Sequence, residues 1–203
     1  MLLILIFALR RSDDFFFLAL FMKIEWKEVN IKGNKVKALL TIKEKADREL
    51  LKTLYFDWKN LNDRLKEIGT RGINLPETIS ENAFSLFFPD CMRVVKVKGM
   101  KCSFDCINIK TGSRIQIKAS SVASDLTSFG PKSEWDELFF LDFSKGDGSF
   151  KVYKIEPYWI YKHMVNKNQS FQQQQEQARR PRFSIIENII KPKKLKPVKV
   201  CKL

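Results

Sequence analysis

The stretch Ser103-Phe104-Asp105-Cys106-Ile107-Asn108-Ile109-Lys110-Thr111-Gly112-Ser113-Arg114-Ile115-Gln116-Ile117-Lys118-Ala119-Ser120 reads as two β-strands joined by a tight turn. Thr111-Gly112-Ser113 supplies the turn, because Gly at the first central position of a two-residue loop takes the positive φ that a hairpin demands. With Gly112 and Ser113 as the loop, Thr111 faces Arg114, Ile109 faces Gln116, Ile107 faces Lys118 and Asp105 faces Ser120. Side chains alternate with period two, so Asp105, Gln116 and Lys118 project from one side of the ribbon. A loop one residue longer would scatter them.

A carboxylate, an amide oxygen and an ammonium within reach of one ion or phosphate suit phosphodiester hydrolysis. A hard cation such as Mg²⁺ takes oxygen ligands, and a lysine orients or deprotonates the attacking water. Asp105, ten intervening residues and then Gln116-Ile117-Lys118 resemble the PD-(D/E)xK nuclease motif, which many type II restriction endonucleases carry on such a hairpin. Two departures stand out. Phe104 occupies the place of the Pro, and Gln116 replaces the second acid. The amide keeps an oxygen but removes a negative charge, so the resemblance calls for another carboxylate, usually from a preceding helix.

At 203 residues, 44% hydrophobic and 12% aromatic, the chain is long and apolar enough for one folded domain with a sizeable core. A net charge of +14 and a pI near 9.7 imply a polyanionic partner. Nucleic acid ranks ahead of an anionic membrane, since the basic residues are interleaved with aromatics. Cys91, Cys102, Cys106 and Cys201 form no paired framework and have only His163 as an imidazole partner, which argues against zinc and for reduced thiols in a cytosolic protein. Residues 1–21 are two apolar runs split by Arg10-Arg11-Ser12-Asp13-Asp14. Neither run is long enough to span a bilayer, and the charge follows the first run where a signal peptide would place it before. Met22 is therefore the expected start, residues 1–21 a non-native or flexible extension, and 22–203 a single domain with a basic tail from about 191.

Along that domain, residues 22–40 suggest a hairpin entry around Gly33-Asn34. Lys43 to Ile68 reads as a core-packing helix, with Leu50, Leu51, Leu54, Trp58, Leu61, Leu65 and Ile68 at spacings of three and four and Gly69 as its cap. A second helix covers Pro76 to Phe88. Glu77 and Glu81 lie one turn apart on it, and either can point at Asp105. Glu81, followed by Ala83, Phe84, Leu86 and Phe87, is the preferred third ligand, since Glu77 also reads as favourable charge at a helix N-terminus. Pro89-Asp90 is a decoy, because no acid-x-Lys pair follows it. Val94–Lys98, Trp135–Phe143 and Phe150–Ile155 read as strands, Pro157–Met164 as a short helix, and Ala119–Lys132 as a small polar loop that would lie against a nucleic-acid backbone. From Arg179 onward there are nine Lys or Arg against one acid. Lysines there give salt-sensitive phosphate affinity, whereas arginine forks can read the O6 and N7 edge of guanine.

Several segments together resemble one small family. They are Arg71-Gly72-x-Asn74-x-Pro76-Glu77 with Ser80-Glu81, Phe104-Asp105-Cys106, Ile115 to Ser120, Asp125 to Lys132, and Arg179-Arg180-Pro181-Arg182-Phe183-Ser184-Ile185. They are similar to the bacterial type II restriction endonucleases that cut at GCNGC, from about Tyr55 to Ile190. The resemblance implies an α/β, restriction-endonuclease-like mixed central sheet flanked by helices. It implies Mg²⁺-dependent cleavage of double-stranded DNA at a GC-rich near-palindrome by a cytoplasmic homodimer, with a companion DNA methyltransferase and no membrane. Asp105, Gln116 and Glu81 (or Glu77) would hold the metal and Lys118 would assist the water. Arg179, Arg180 and Arg182 would read guanine, and Ser128 and Lys132 would position the backbone. The rival readings are a repair or junction nuclease with the same metal site, and a non-catalytic basic nucleic-acid-binding module.

Overall fold

Lys32 (φ 51°) and Gly33 (φ 84°) both take positive φ, the geometry of a two-residue hairpin link. They join β1 (Lys23–Ile31) to β2 (Asn34–Ile42), the entry hairpin expected from the sequence. This computed structural model describes residues 22–69 and 71–203. The extension expected at residues 1–21 lies outside them.

The first helix, α1 (Asp47–Glu67), ends at Gly69 (φ 77°), whose N–H donates to the Lys66 carbonyl at 3.1 Å. Its buried stripe differs from the expected one. Leu51, Tyr55, Trp58 and Asn62 face inward, whereas Leu54, Leu61 and Ile68 are exposed. Residues spaced by three and four from Leu50 to Ile68 cover more of a helix than one sheet can bury, and a tyrosine and an asparagine share the stripe that wins.

The remaining elements are α2 (Glu77–Phe87), β3 (Cys91–Val97), β4 (Cys106–Asn108), β5 (Arg114–Ser120), β6 (Thr127–Ser128), β7 (Glu137–Asp142), β8 (Ser149–Ile155), α3 (Pro157–Tyr161), β9 (Met164–Asn166), β10 (Gln169–Ser170), α4 (Phe171–Glu176), β11 (Arg182–Phe183) and β12 (Lys199–Lys202), with a π-helical turn at Ile186–Ile190. Eight strands form one mixed sheet in the order β1-β2-β3-β4-β5-β7-β8-β12. Only β5 and β7 run parallel. Strand β7 carries apolar residues on both faces, as a central strand must. Phe139 and Leu141 pack with Leu51, Tyr55 and Phe84 of the two long helices. Leu138 and Phe140 pack with Phe129, Trp135, Phe171, Phe183 and Ile186 on the other side. The architecture is therefore α/β with a helix-flanked mixed sheet, as the resemblance implies.

Two local expectations are corrected. The loop between β4 and β5, counted inside the Asn108–Ser113 pair, is the four residues Ile109–Gly112, not two. Asn108 pairs with Ser113 (N–H to carbonyl, 3.0 Å), and the Gly112 N–H closes the loop on the Asn108 carbonyl at 2.8 Å. Cys106 therefore faces Ile115 and Ile107 faces Arg114. Asn108 directs this, because its Oδ1 accepts from the N–H groups of Lys110 (3.0 Å) and Thr111 (3.2 Å) and starts the turn early. The basic stretch from Lys191 also rejoins the sheet, with β12 pairing antiparallel to β8. Cys201 and Leu203 are buried while Lys199 and Lys202 face solvent, and the Leu203 N–H donates to the Gly148 carbonyl at 3.0 Å.

Candidate active site

The longer loop displaces the register but not the parity of the side chains. Two added loop residues move every pairing by an even number of positions, so Asp105 still shares a face with Gln116, now opposite it, and with Lys118. The Gln116 amide donates directly to Asp105 Oδ2. The same oxygen accepts from the Ile117 N–H at 2.7 Å, taking the β5 donor where the β4–β5 ladder stops. Asp105 thus sits where the two strands part, anchored through one oxygen.

Its second oxygen, Oδ1, accepts no protein hydrogen bond among the described residues, and neither does Gln116 Oε1. The Asp105 carboxyl is pushed up from 3.8 to about 7. Burial is the first cause and the negative charge of Glu81 the second, with Glu77 adding to them, against the Ile117 N–H and the Lys118 charge. Glu81 is likewise raised, first by burial, against the opposing charge and hydrogen bond of Arg93. Both acids and Lys118 thus lie within one another's field.

Glu81 has a partner that the sequence reading missed. Arg93 on β3 donates through Nε to Glu81 Oε2 at 2.6 Å, and both side chains are largely buried. Glu81 Oε1 accepts nothing from protein among the described residues. Glu77 is exposed at the start of α2 and opens into a cleft of about 910 Å³. Lys118, Ser128 and Arg182 line the same cleft. The Lys118 ammonium lies over the Phe129 ring, 5.5 Å from its centroid.

The ribbon of β6 and β11 sets Ser128 directly opposite Arg182. Asp125 ties this ribbon to the next turn by accepting from Thr127 Oγ1 (2.7 Å), Ser184 Oγ and the N–H groups of Ile185 (2.9 Å) and Ile186 (3.1 Å). Sequence reasoning also missed this buried residue, although it lies in the Asp125–Lys132 segment; three of its four partners are some sixty positions away. Of the three candidate arginines, Arg182 alone lines the cleft. Arg179 donates to Gln169 Oε1 at 3.3 Å, and Arg180 and Lys132 are exposed outside it. Asp136, just before β7, binds Arg114, and Asp90 pairs with Lys110 at 3.0 Å.

These residues lie in a stretch with known relatives. The sequence pattern of the Bsp6I restriction endonuclease family matches residues 43–192. The type II restriction enzyme Bsp6I of Bacillus sp. (strain RFL6) is 37% identical over 147 residues, which span 71% of this chain and 81% of that one. The chain belongs to the Bsp6I restriction endonuclease family. It is thereby a nuclease, a hydrolase of phosphodiester bonds. No solved structure matches it. The family region contains Glu77, Glu81, Asp105, Gln116, Lys118 and Arg182, while the β1–β2 hairpin and β12 fall outside it.

A divalent cation fits the donor set of this Bsp6I-family site. Free oxygens on Asp105, Gln116 and Glu81 are hard donors, and the mutual repulsion of the acids is what a cation relieves. Among the described residues no three His, Cys, Asp or Glu side chains are gathered as a cage.

Proposed function

We propose that the chain is a type II site-specific deoxyribonuclease of PD-(D/E)xK descent that hydrolyses both strands of double-stranded DNA with Mg²⁺, at a short GC-rich near-palindrome, GCNGC being the expected sequence. The observation that carries this reading is the hydrogen bond from the Gln116 amide to Asp105, inside the family-matched region, with Lys118 two positions along the same strand face.

Asp105, Gln116 and Glu81, with Glu77 as the alternative third ligand, would hold Mg²⁺, which would supply Lewis acidity beside the scissile phosphate. Lys118 holds the attacking water against phosphorus and offsets the charge that builds on the five-coordinate phosphate. One P–O bond forms to the water oxygen, one ester P–O bond breaks, and the departing oxygen leaves with a proton. Arg182, with Arg179 and Arg180 behind it, reads guanine edges, and Ser128 and Lys132 fix the sugar-phosphate chain. A near-palindromic site is met by a homodimer, each copy cutting one strand. The enzyme works in the cytoplasm beside a DNA methyltransferase that protects the host's own sites. None of the described helices is long and apolar enough to cross a membrane.

Incubation with linear plasmid DNA and Mg²⁺ is expected to give discrete bands. Nicks only at branched or distorted DNA would indicate a repair or junction nuclease, and retardation without cleavage a binding module. Lys118→Ala is expected to lower cleavage by roughly 10²-fold or more while gel retardation persists. Undiminished cleavage by that variant would remove the active-site assignment.

A further inference from the structure

The cleft beside Lys118 has lining residues to which the mechanism above gives no role. Besides the β5–β6 connection and Arg182, it is lined by Asn62 and Lys66 at the end of α1 and by the 71–75 connection to α2. That connection is pinned to the helix. Trp58 Nε1 donates to the carbonyls of both Ile73 and Asn74 at 3.1 Å. Gly72 lies so close to α1 that a Cβ there would fall 2.2 Å from Asn62 Oδ1 and 2.7 Å from Lys66 Cε. The aliphatic stem of Lys66 is therefore held against the loop, and Arg71 projects from a fixed backbone.

Lys66 and Arg71 are both exposed on the cleft wall, and among the described residues neither makes an ion pair within 4 Å. Of the two acids on the cleft, Glu77 belongs to the proposed metal site and Asp125 is buried in its four hydrogen bonds. Cations that line one open groove without an ion-pair partner within 4 Å attract a polyanion that fills it.

We infer that Lys66 and Arg71 form a sequence-independent clamp on the DNA sugar-phosphate backbone, within the cleft that Arg182 also lines. This rests on the nuclease reading and adds a phosphate-binding wall to it. Point charges on a helix end and a loop neutralise phosphates, whereas base reading needs a side chain carried into a groove by an inserted element.

The test uses the full chain with Ca²⁺ in place of Mg²⁺ to hold DNA uncut, and fluorescence anisotropy over about 50 to 250 mM KCl, on a GCNGC duplex and on an unrelated one. Lys66→Ala and Arg71→Ala are each expected to weaken both duplexes by the same factor, roughly 5- to 10-fold near 0.1 M salt, and to lower the log–log salt slope by about 1. Arg71→Lys keeps the charge and should keep the slope. Both sites are exposed, so thermal midpoints should not move. An unchanged slope in the two alanine variants, with wild-type cleavage intact, would overturn the clamp alone. A loss confined to the GCNGC duplex would also overturn it, by making these residues base readers. A wild-type chain that neither binds nor cuts either duplex would overturn both the clamp and the nuclease reading.

Discussion

Asp105 uses its two oxygens differently. Oδ2 is fixed by Gln116 and the Ile117 N–H, and Oδ1 accepts no protein hydrogen bond among the described residues. Without a cation its carboxyl is held up to about 7, against an ordinary 3.8. Below the ordinary value both folded and unfolded chains carry the proton, and the stabilisation is complete. As pH rises the unfolded chain ionises first, so this contribution is lost through about pH 7. In EDTA, the thermal midpoint of the wild type should therefore fall between about pH 4 and 7.5 relative to that of Asp105→Asn. Parallel profiles for the two proteins would contradict the assigned environment. Arg93 is the other residue on which the site turns. Arg93→Gln leaves Glu81 buried with an unmatched charge and should cost about 3 kcal/mol in urea unfolding. Adding Glu81→Gln should recover part of that loss, because the orphaned charge is then gone. No recovery would mean that the pair is not coupled.

At the scale of elements, the β4–β5 hairpin decides which groups meet. Gly112 was legible as a turn residue, and its φ of 76° agrees. The turn type was not legible, because Asn108 competes for the loop through its side chain, and two- and four-residue links both suit this composition. The site survives because alternation depends only on whether the loop grows by an even or odd number of residues. Gly112 also lies close to β1, where an added Cβ would be 2.6 Å from the Asn30 carbonyl oxygen. Gly112→Ala should therefore cost about 1–3 kcal/mol, measured by urea unfolding, through both φ strain and that contact. A cost below about 0.5 kcal/mol would show that the hairpin tip can move away from Asn30. Helix α1 shows the opposite limit. Its existence and Gly69 cap followed from periodicity, but its buried face did not, since Leu54 and Leu61 fit the pattern as well as Leu51 and Trp58.

At the scale of the whole molecule, the sheet closes on the last residues of the chain. Deleting residues 199–203 removes β12 together with buried Cys201 and Leu203, and should lower stability by about 3 kcal/mol, read from the urea midpoint. An unchanged midpoint would mean that β12 adds little to the stability of the sheet. The sequence by itself determined what is local: strand alternation, the helix pair, the hairpin carrying Asp105, Gln116 and Lys118, and a positive charge suited to a polyanion. Each follows from neighbours a few positions apart, where covalent geometry sets the period. Only the tertiary structure decided that Arg93 holds Glu81, that Asp125 binds Ser184 to Ile186, that Arg182 rather than Arg179 or Arg180 reaches the cleft, and that the C-terminal lysines edge a strand. Those are contacts between segments up to sixty positions apart, or choices among equivalent faces. Their outcome depends on which surfaces the packed sheet buries, and no local pattern encodes that.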